Sequence, residues 1–94
     1  MAYMYILECS DGSYYTGSTT NRERRIAEHQ AGKGANFTKR RLPVVLRYSE
    51  NYQLIFEAFN REKQVQKWSR QKKLALINKQ FEVLPALSKK KWDN

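Results

Sequence analysis

Residues 3–17 read Tyr3-Met4-Tyr5-Ile6-Leu7-Glu8-Cys9-Ser10-Asp11-Gly12-Ser13-Tyr14-Tyr15-Thr16-Gly17. A mostly apolar run over 3–9, a Ser-Asp-Gly-Ser turn signal and a second short run over 14–17 are the ingredients of a β-hairpin. Alternate residues of a strand share one face. A hairpin closed through Asp11-Gly12 therefore sets Tyr15 beside Tyr5, with both phenols at one surface of the sheet.

Downstream, Thr20 followed by Glu23 is a capping-box signature that opens a helix near residue 21. Gly32 and Gly34 end it after about three turns, where a left-handed backbone is cheap. Arg22, Arg25 and His29 fall three and four residues apart and line one helix face, while Ile26 and Ala27 turn toward the core. Residues 35–41 form a polar, basic loop. Pro43 then precedes Val44-Val45-Leu46-Arg47-Tyr48, a β-branched stretch that predicts a third strand. Between residues 53 and 68, Ile55, Ala58, Phe59 and Val65 recur at helical steps and predict a long amphipathic helix. A shorter helix over about 70–78 carries Leu74, Ala75 and Ile77. The tail holds Leu84-Pro85-Ala86-Leu87 and Lys89-Lys90-Lys91-Trp92 without a clear period.

The order β-β-α-β-α-α predicts an α+β fold, with a small three-stranded, largely antiparallel sheet flanked by helices. Ninety-four residues, 40% of them apolar, suit one compact domain over 1–80 followed by a basic tail over 81–94. A lone cysteine, Cys9, excludes an intramolecular disulfide framework, and no cysteine/histidine cluster has zinc spacing. No apolar run approaches the roughly 20 residues that span a bilayer. The chain enters its first strand without a basic leader. The expectation is a soluble, unprocessed, cytoplasmic protein with no membrane partner.

Eighteen basic against nine acidic residues give a net charge of +9, which predicts attraction to a polyanion, nucleic acid before others. Arg22, Arg24 and Arg25 share a helix, Lys39, Arg40 and Arg41 share a loop, and residues 61–73 carry six cations against one carboxylate. Arg22, Lys39, Arg40, Arg41, Lys67 and Arg70 are the candidate phosphate contacts, with Asn36 and Thr38 as polar neighbours in the loop. Glu62 sits three residues after Phe59 and three before Val65, on the stripe that faces the core. An ionised carboxylate there needs a polar partner: a basic neighbour or a metal ion.

This constellation resembles the GIY-YIG nuclease domain, here as a small stand-alone, bacterial-type member. Its two half-motifs read Tyr3-Met4-Tyr5 and Tyr15-Thr16-Gly17, and Ala58-Phe59-Asn60-Arg61-Glu62 looks like the helical segment that carries the family's glutamate. Tyr3, Met4 and Thr16 depart from the family name, and no counterpart appears of an asparagine that many members carry after the glutamate. The resemblance covers about residues 3–77. It implies a metal-dependent endonuclease acting on DNA more readily than RNA, with DNA repair or processing as its setting. Tyr5, Tyr15, Arg25 and His29 would be catalytic, Glu62 would hold Mg²⁺ or Mn²⁺, and Gly17 would be structural, easing the turn from strand to helix. The phenols and Arg25 are expected to open onto one shallow cleft with Glu62 at its wall. Two rivals use the same cations. One is a non-catalytic nucleic-acid-binding module with Trp68 or Trp92 as stacking platforms; the other is an interaction domain that docks an acidic protein partner. A protein partner or a homo-oligomer is also expected as a source of substrate affinity.

Overall fold

In a computed structural model that describes residues 1–84, the chain forms β1 (Ala2–Glu8), β2 (Tyr14–Thr19), α1 (Arg22–Gln30), α2 (Asn36–Lys39), β3 (Val45–Tyr52), α3 (Ile55–Gln66) and α4 (Arg70–Ile77). A short 3-10 turn, Phe81–Val83, follows. The tail residues singled out from Pro85 onward, Trp92 among them, lie outside the described residues. Both strand pairs are antiparallel, in the order β2-β1-β3.

β1 is the central strand and is covered on both faces, which is why its sequence is a nearly continuous apolar run rather than an alternating one. Met4 and Ile6 pack with Val65 of α3 and Leu76 of α4, while Tyr5, Leu7 and Cys9 face the other way, onto Val44, Ile26 and Leu42. Burying each of the large side chains stabilises the fold by roughly 1.5–3 kcal/mol. The hairpin closes as its turn residues require: Gly12 has φ +83° and donates its amide to the Cys9 carbonyl, and Asp11 accepts from the Ser13 amide.

Several local expectations shift. Asn21, not Thr20, caps α1, its side chain accepting from the Arg24 amide. Ala27 is exposed on the outer face of α1 and only Ile26 reaches the core. The loop over 35–41 contains the one-turn helix α2. On α3 the buried stripe is Ala58, Glu62 and Val65, whereas Ile55 and Phe59 are 43% and 46% exposed. A three-stranded sheet covers only a narrow strip of a helix, and residues to either side of that strip stay in solvent. Among the described residues no helix is long and apolar enough to cross a membrane.

Candidate active site

The strand register puts both phenols on one face. Tyr5 pairs with Gly17 and Leu7 pairs with Tyr15, so Tyr5, Tyr15 and Gly17 all point toward α1. Tyr5 lies across β2 at Gly17, where a Cβ would collide with the phenol oxygen. Gly17 is therefore needed for close approach within the strand, not for a turn into the helix. Tyr5 is only 1% exposed and forms the floor of the region, while Tyr15 remains half-buried at its rim. The shallow cleft shared equally by two open phenols does not form.

α1 reaches this floor through His29, which is fully buried rather than on the surface. Its Nε2 lies 2.9 Å from the Tyr5 hydroxyl and its Nδ1 lies 2.8 Å from Thr38 Oγ1. The imidazole edge packs against Tyr5 and Tyr15, with ring centroids 5.9 and 5.2 Å away. Burial, with a smaller push from Arg25, lowers the His29 pKa below the ordinary imidazole value and keeps the ring neutral. Burial and the neighbouring Tyr15 phenol push Tyr5 up to about 12, against the pull of the nearby Arg25 guanidinium. Tyr15 is raised by burial and by Glu62, again opposed by Arg25. One guanidinium thus acts on both phenols, and Glu28 holds it from behind at 3.0 Å.

Glu62 enters from the opposite side of the sheet, at the edge formed by β2. Ser18, which faces α3, donates its hydroxyl to Glu62 at 2.7 Å, and Gln66 donates to it at 2.8 Å. Lys63 stands 3.8 Å away. Because β2 is an edge strand, Glu62 is near enough to raise both phenols electrostatically although it sits on the other face. One residue along the same face, Thr16 is 3% exposed and its hydroxyl has no hydrogen-bond partner. Among the described residues no three histidine, cysteine or carboxylate side chains cluster as metal ligands. The donors present are hard oxygens: the Glu62 carboxylate and the Ser18 hydroxyl bonded to it, with the Gln66 amide as a second neutral partner. This set fits Mg²⁺ or Mn²⁺, which complete their shells with water and phosphate oxygens, better than zinc.

The expected phosphate contacts divide into two groups. Lys39, Arg40 and Lys67 are exposed. Arg22 is laid down on the sheet, donating to Ser49 at 2.7 Å and stacking over Tyr3. Arg41 is tied to Asp11 at 3.0 Å and stacks on Phe37 at 4.0 Å, and Arg70 donates to the Gly12 carbonyl at 2.6 Å. Asn36 is exposed at the start of α2, but Thr38 is buried against His29 and faces no solvent. Trp68 is half-buried with Arg61 and Lys72 over its ring, 4.9 and 4.1 Å from its centroid. Sequence reasoning missed Ser18, Gln66, Gly34 and Phe37. Of these, Phe37 stacks on Tyr15 at 6.1 Å, and an aromatic residue beside a basic cluster was the one legible signal.

A sequence profile described as the GIY-YIG catalytic domain matches residues 1–75. The chain is 50% identical over 77 residues to a UPF0213 protein of Halobacterium salinarum, covering 82% of this chain and 100% of that one. With a UPF0213 protein of Staphylococcus haemolyticus it shares 55% over 75 residues, covering 80% and 92%. Among solved structures, the solution structure of a UPF0213 protein from Bacillus halodurans aligns with TM-score 0.53 at 46% identity, covering 83% of this chain and 84% of that one. A solution structure from E. faecalis aligns with TM-score 0.55 at 40% identity, covering 86% and 85%.

Proposed function

This chain belongs to the GIY-YIG catalytic domain family, and we propose that it is an endonuclease hydrolysing phosphodiester bonds in nucleic acid, DNA in preference to RNA. The observation that carries this reading is the buried hydrogen bond between Tyr5 and a neutral His29, beside a guanidinium that acts on both phenols.

Hydrolysis requires removal of a proton from water and stabilisation of charge on the phosphate oxygens. A tyrosine pushed up to about 12 is not a phenolate at neutral pH. It serves instead as a conduit: water gives a proton to the Tyr5 oxygen as the Tyr5 proton moves to His29 Nε2, 2.9 Å away. The imidazolium that forms holds the proton until it returns to the leaving oxygen. Arg25, braced by Glu28, meets the negative phosphate oxygens, and Tyr15 at the rim orients the attacking water. Glu62, with Ser18 and Gln66 fixing its carboxylate, would hold Mg²⁺ or Mn²⁺. Such an ion neutralises phosphate charge and polarises water when bound. Lys39, Arg40 and Lys67 supply sequence-independent attraction for the backbone.

The test is cleavage of single-stranded, duplex and branched DNA and of RNA, with Mg²⁺, Mn²⁺ or chelator. Tyr5→Phe removes only the hydroxyl and lowers the rate by about 10²–10⁴. The wild-type rate falls as pH drops through a value below the ordinary imidazole range, where His29 becomes charged and can no longer accept a proton. A wild-type protein that binds these nucleic acids with steep salt dependence but cuts none is a binding module instead.

A further inference from the structure

Behind His29 lies a pair of residues outside the catalytic contacts, Thr38 and Gly34. Thr38 is fully buried, and its hydroxyl donates to the Ala35 carbonyl at 3.1 Å while standing 2.8 Å from His29 Nδ1. A hydroxyl has one proton to give. If that proton goes to Ala35, the oxygen can only accept from the ring, and Nδ1 must carry hydrogen.

The other end of the ring agrees. With hydrogen on Nδ1, neutral His29 presents a lone pair at Nε2, and the Tyr5 hydroxyl donates to it. The opposite tautomer would aim Nε2–H at the Tyr5 oxygen. The Tyr5 proton would then lose His29 as its acceptor in a side chain 1% exposed, where an unpaired polar group is unfavourable. Gly34 fixes the ring in place from the side. A Cβ there would overlap Nδ1, Cγ and Cε1 of His29, so this glycine serves close approach; it is Gly32, at φ +75°, that adopts the left-handed backbone after α1.

We propose that Thr38 is a positioning residue that selects the Nδ1–H tautomer of His29 and so points the Nε2 lone pair at Tyr5. Its catalytic consequence rests on the nuclease reading given above; the tautomer itself does not. One-turn helix α2 exists in this fold to present that hydroxyl, with Ala35 as its N-cap residue and Thr38 in its last turn.

The experiment is ¹⁵N NMR of the single histidine in the full chain, comparing wild type with Thr38→Val, which matches threonine in shape, and Thr38→Ser, which restores the hydroxyl. Wild type and Thr38→Ser are expected to show protonated Nδ1 and unprotonated Nε2, and Thr38→Val to lose that preference. In cleavage assays, Thr38→Val lowers the rate by up to about 100-fold, the loss that misplacing a reacting group can cause, and Thr38→Ser restores most of it. Nε2–H in the wild type, or an unchanged Nδ1–H tautomer in folded Thr38→Val, overturns the inference. Should Thr38→Val fail to fold, the wild-type spectrum alone decides. A wild type with the expected tautomer that cuts nothing upholds the positioning role and removes the nuclease reading.

Discussion

Two neighbouring residues of α3 straddle β1 and meet carboxylate chemistry in opposite ways. Met4 pairs with Glu50 on one side and Ser18 on the other, so these three form a row across the face that α3 covers. Over β3, Arg61 meets Glu50 at 3.0 and 3.3 Å, and the same carboxylate accepts from Tyr48 at 2.7 Å and Tyr52 at 2.6 Å. Over β2, Glu62 meets a serine and a glutamine, with an ammonium 3.8 Å away. The two carboxylate side chains are comparably covered, at 18% and 12% exposure. What differs is neutralisation. Glu50 is closed by a guanidinium and two phenols and acts as a staple between strand and helix. Glu62 is oriented by neutral donors and keeps its charge available to a cation.

The largest expected effect lies at Glu62. Glu62→Gln preserves size and its place beside Ser18 while deleting the charge, and metal-dependent cleavage is expected to fall by about 10²–10³ with the melting temperature little changed. Equal cutting by variant and wild type would dissolve the contrast between the two sites.

At Glu50 the loss is in stability instead. Arg61→Met keeps apolar length against Trp68, over whose ring the guanidinium sits at 4.9 Å, but strands the half-buried carboxylate. Unfolding by urea should show a loss of about 2–3 kcal/mol, less than for a wholly buried pair because both side chains keep some exposure. Specific activity per folded molecule should hold.

A smaller effect appears on acidification. Burial works to raise the Glu50 pKa, but Arg61, Tyr52 and Tyr48 outweigh it and hold the carboxyl below its ordinary value. A depressed folded pKa contributes stability that is complete above the unfolded value of about 4.3 and vanishes as pH falls through the folded one. Melting temperature against pH should therefore decline on the acid side, and Glu50→Gln should flatten that decline.

The smallest effect belongs to Lys63, whose side chain is 54% exposed. Lys63→Ala should change stability by at most about 0.5 kcal/mol, measured in the same urea titration. A larger loss would make the Glu62 junction an ion-pair staple like its neighbour.

Much of this was legible along the chain because it depends on local period and turn chemistry. The Asp11-Gly12 turn fixes the hairpin, strand alternation fixes Tyr5 and Tyr15 on one face, and helical steps place Glu62 between Ala58 and Val65 on the buried stripe. Periodicity also put Arg22, Arg25 and His29 on one face of α1, yet it could not say how deeply each would sink. Arg22 came to rest on Ser49 and His29 against Tyr5, partners that strand register supplies from 27 and 24 residues away. Thr38 looked like a loop residue because nothing within its own segment signals a histidine nine positions earlier. The same limit hid Ser18 as the partner of Glu62, 44 residues apart.

The sequence by itself determined the three strands and three longer helices, the shared face of the phenols and the need for a polar partner at Glu62, since these follow from bonded geometry and the cost of burying charge. Tertiary structure alone decided that Tyr5 is a floor rather than an opening, that His29 is buried and neutral, and that Arg61 closes one carboxylate while its neighbour stays open. Those outcomes depend on how helices dock across a narrow three-stranded sheet, and docking is set by side chains distant in sequence competing for the same few ångströms.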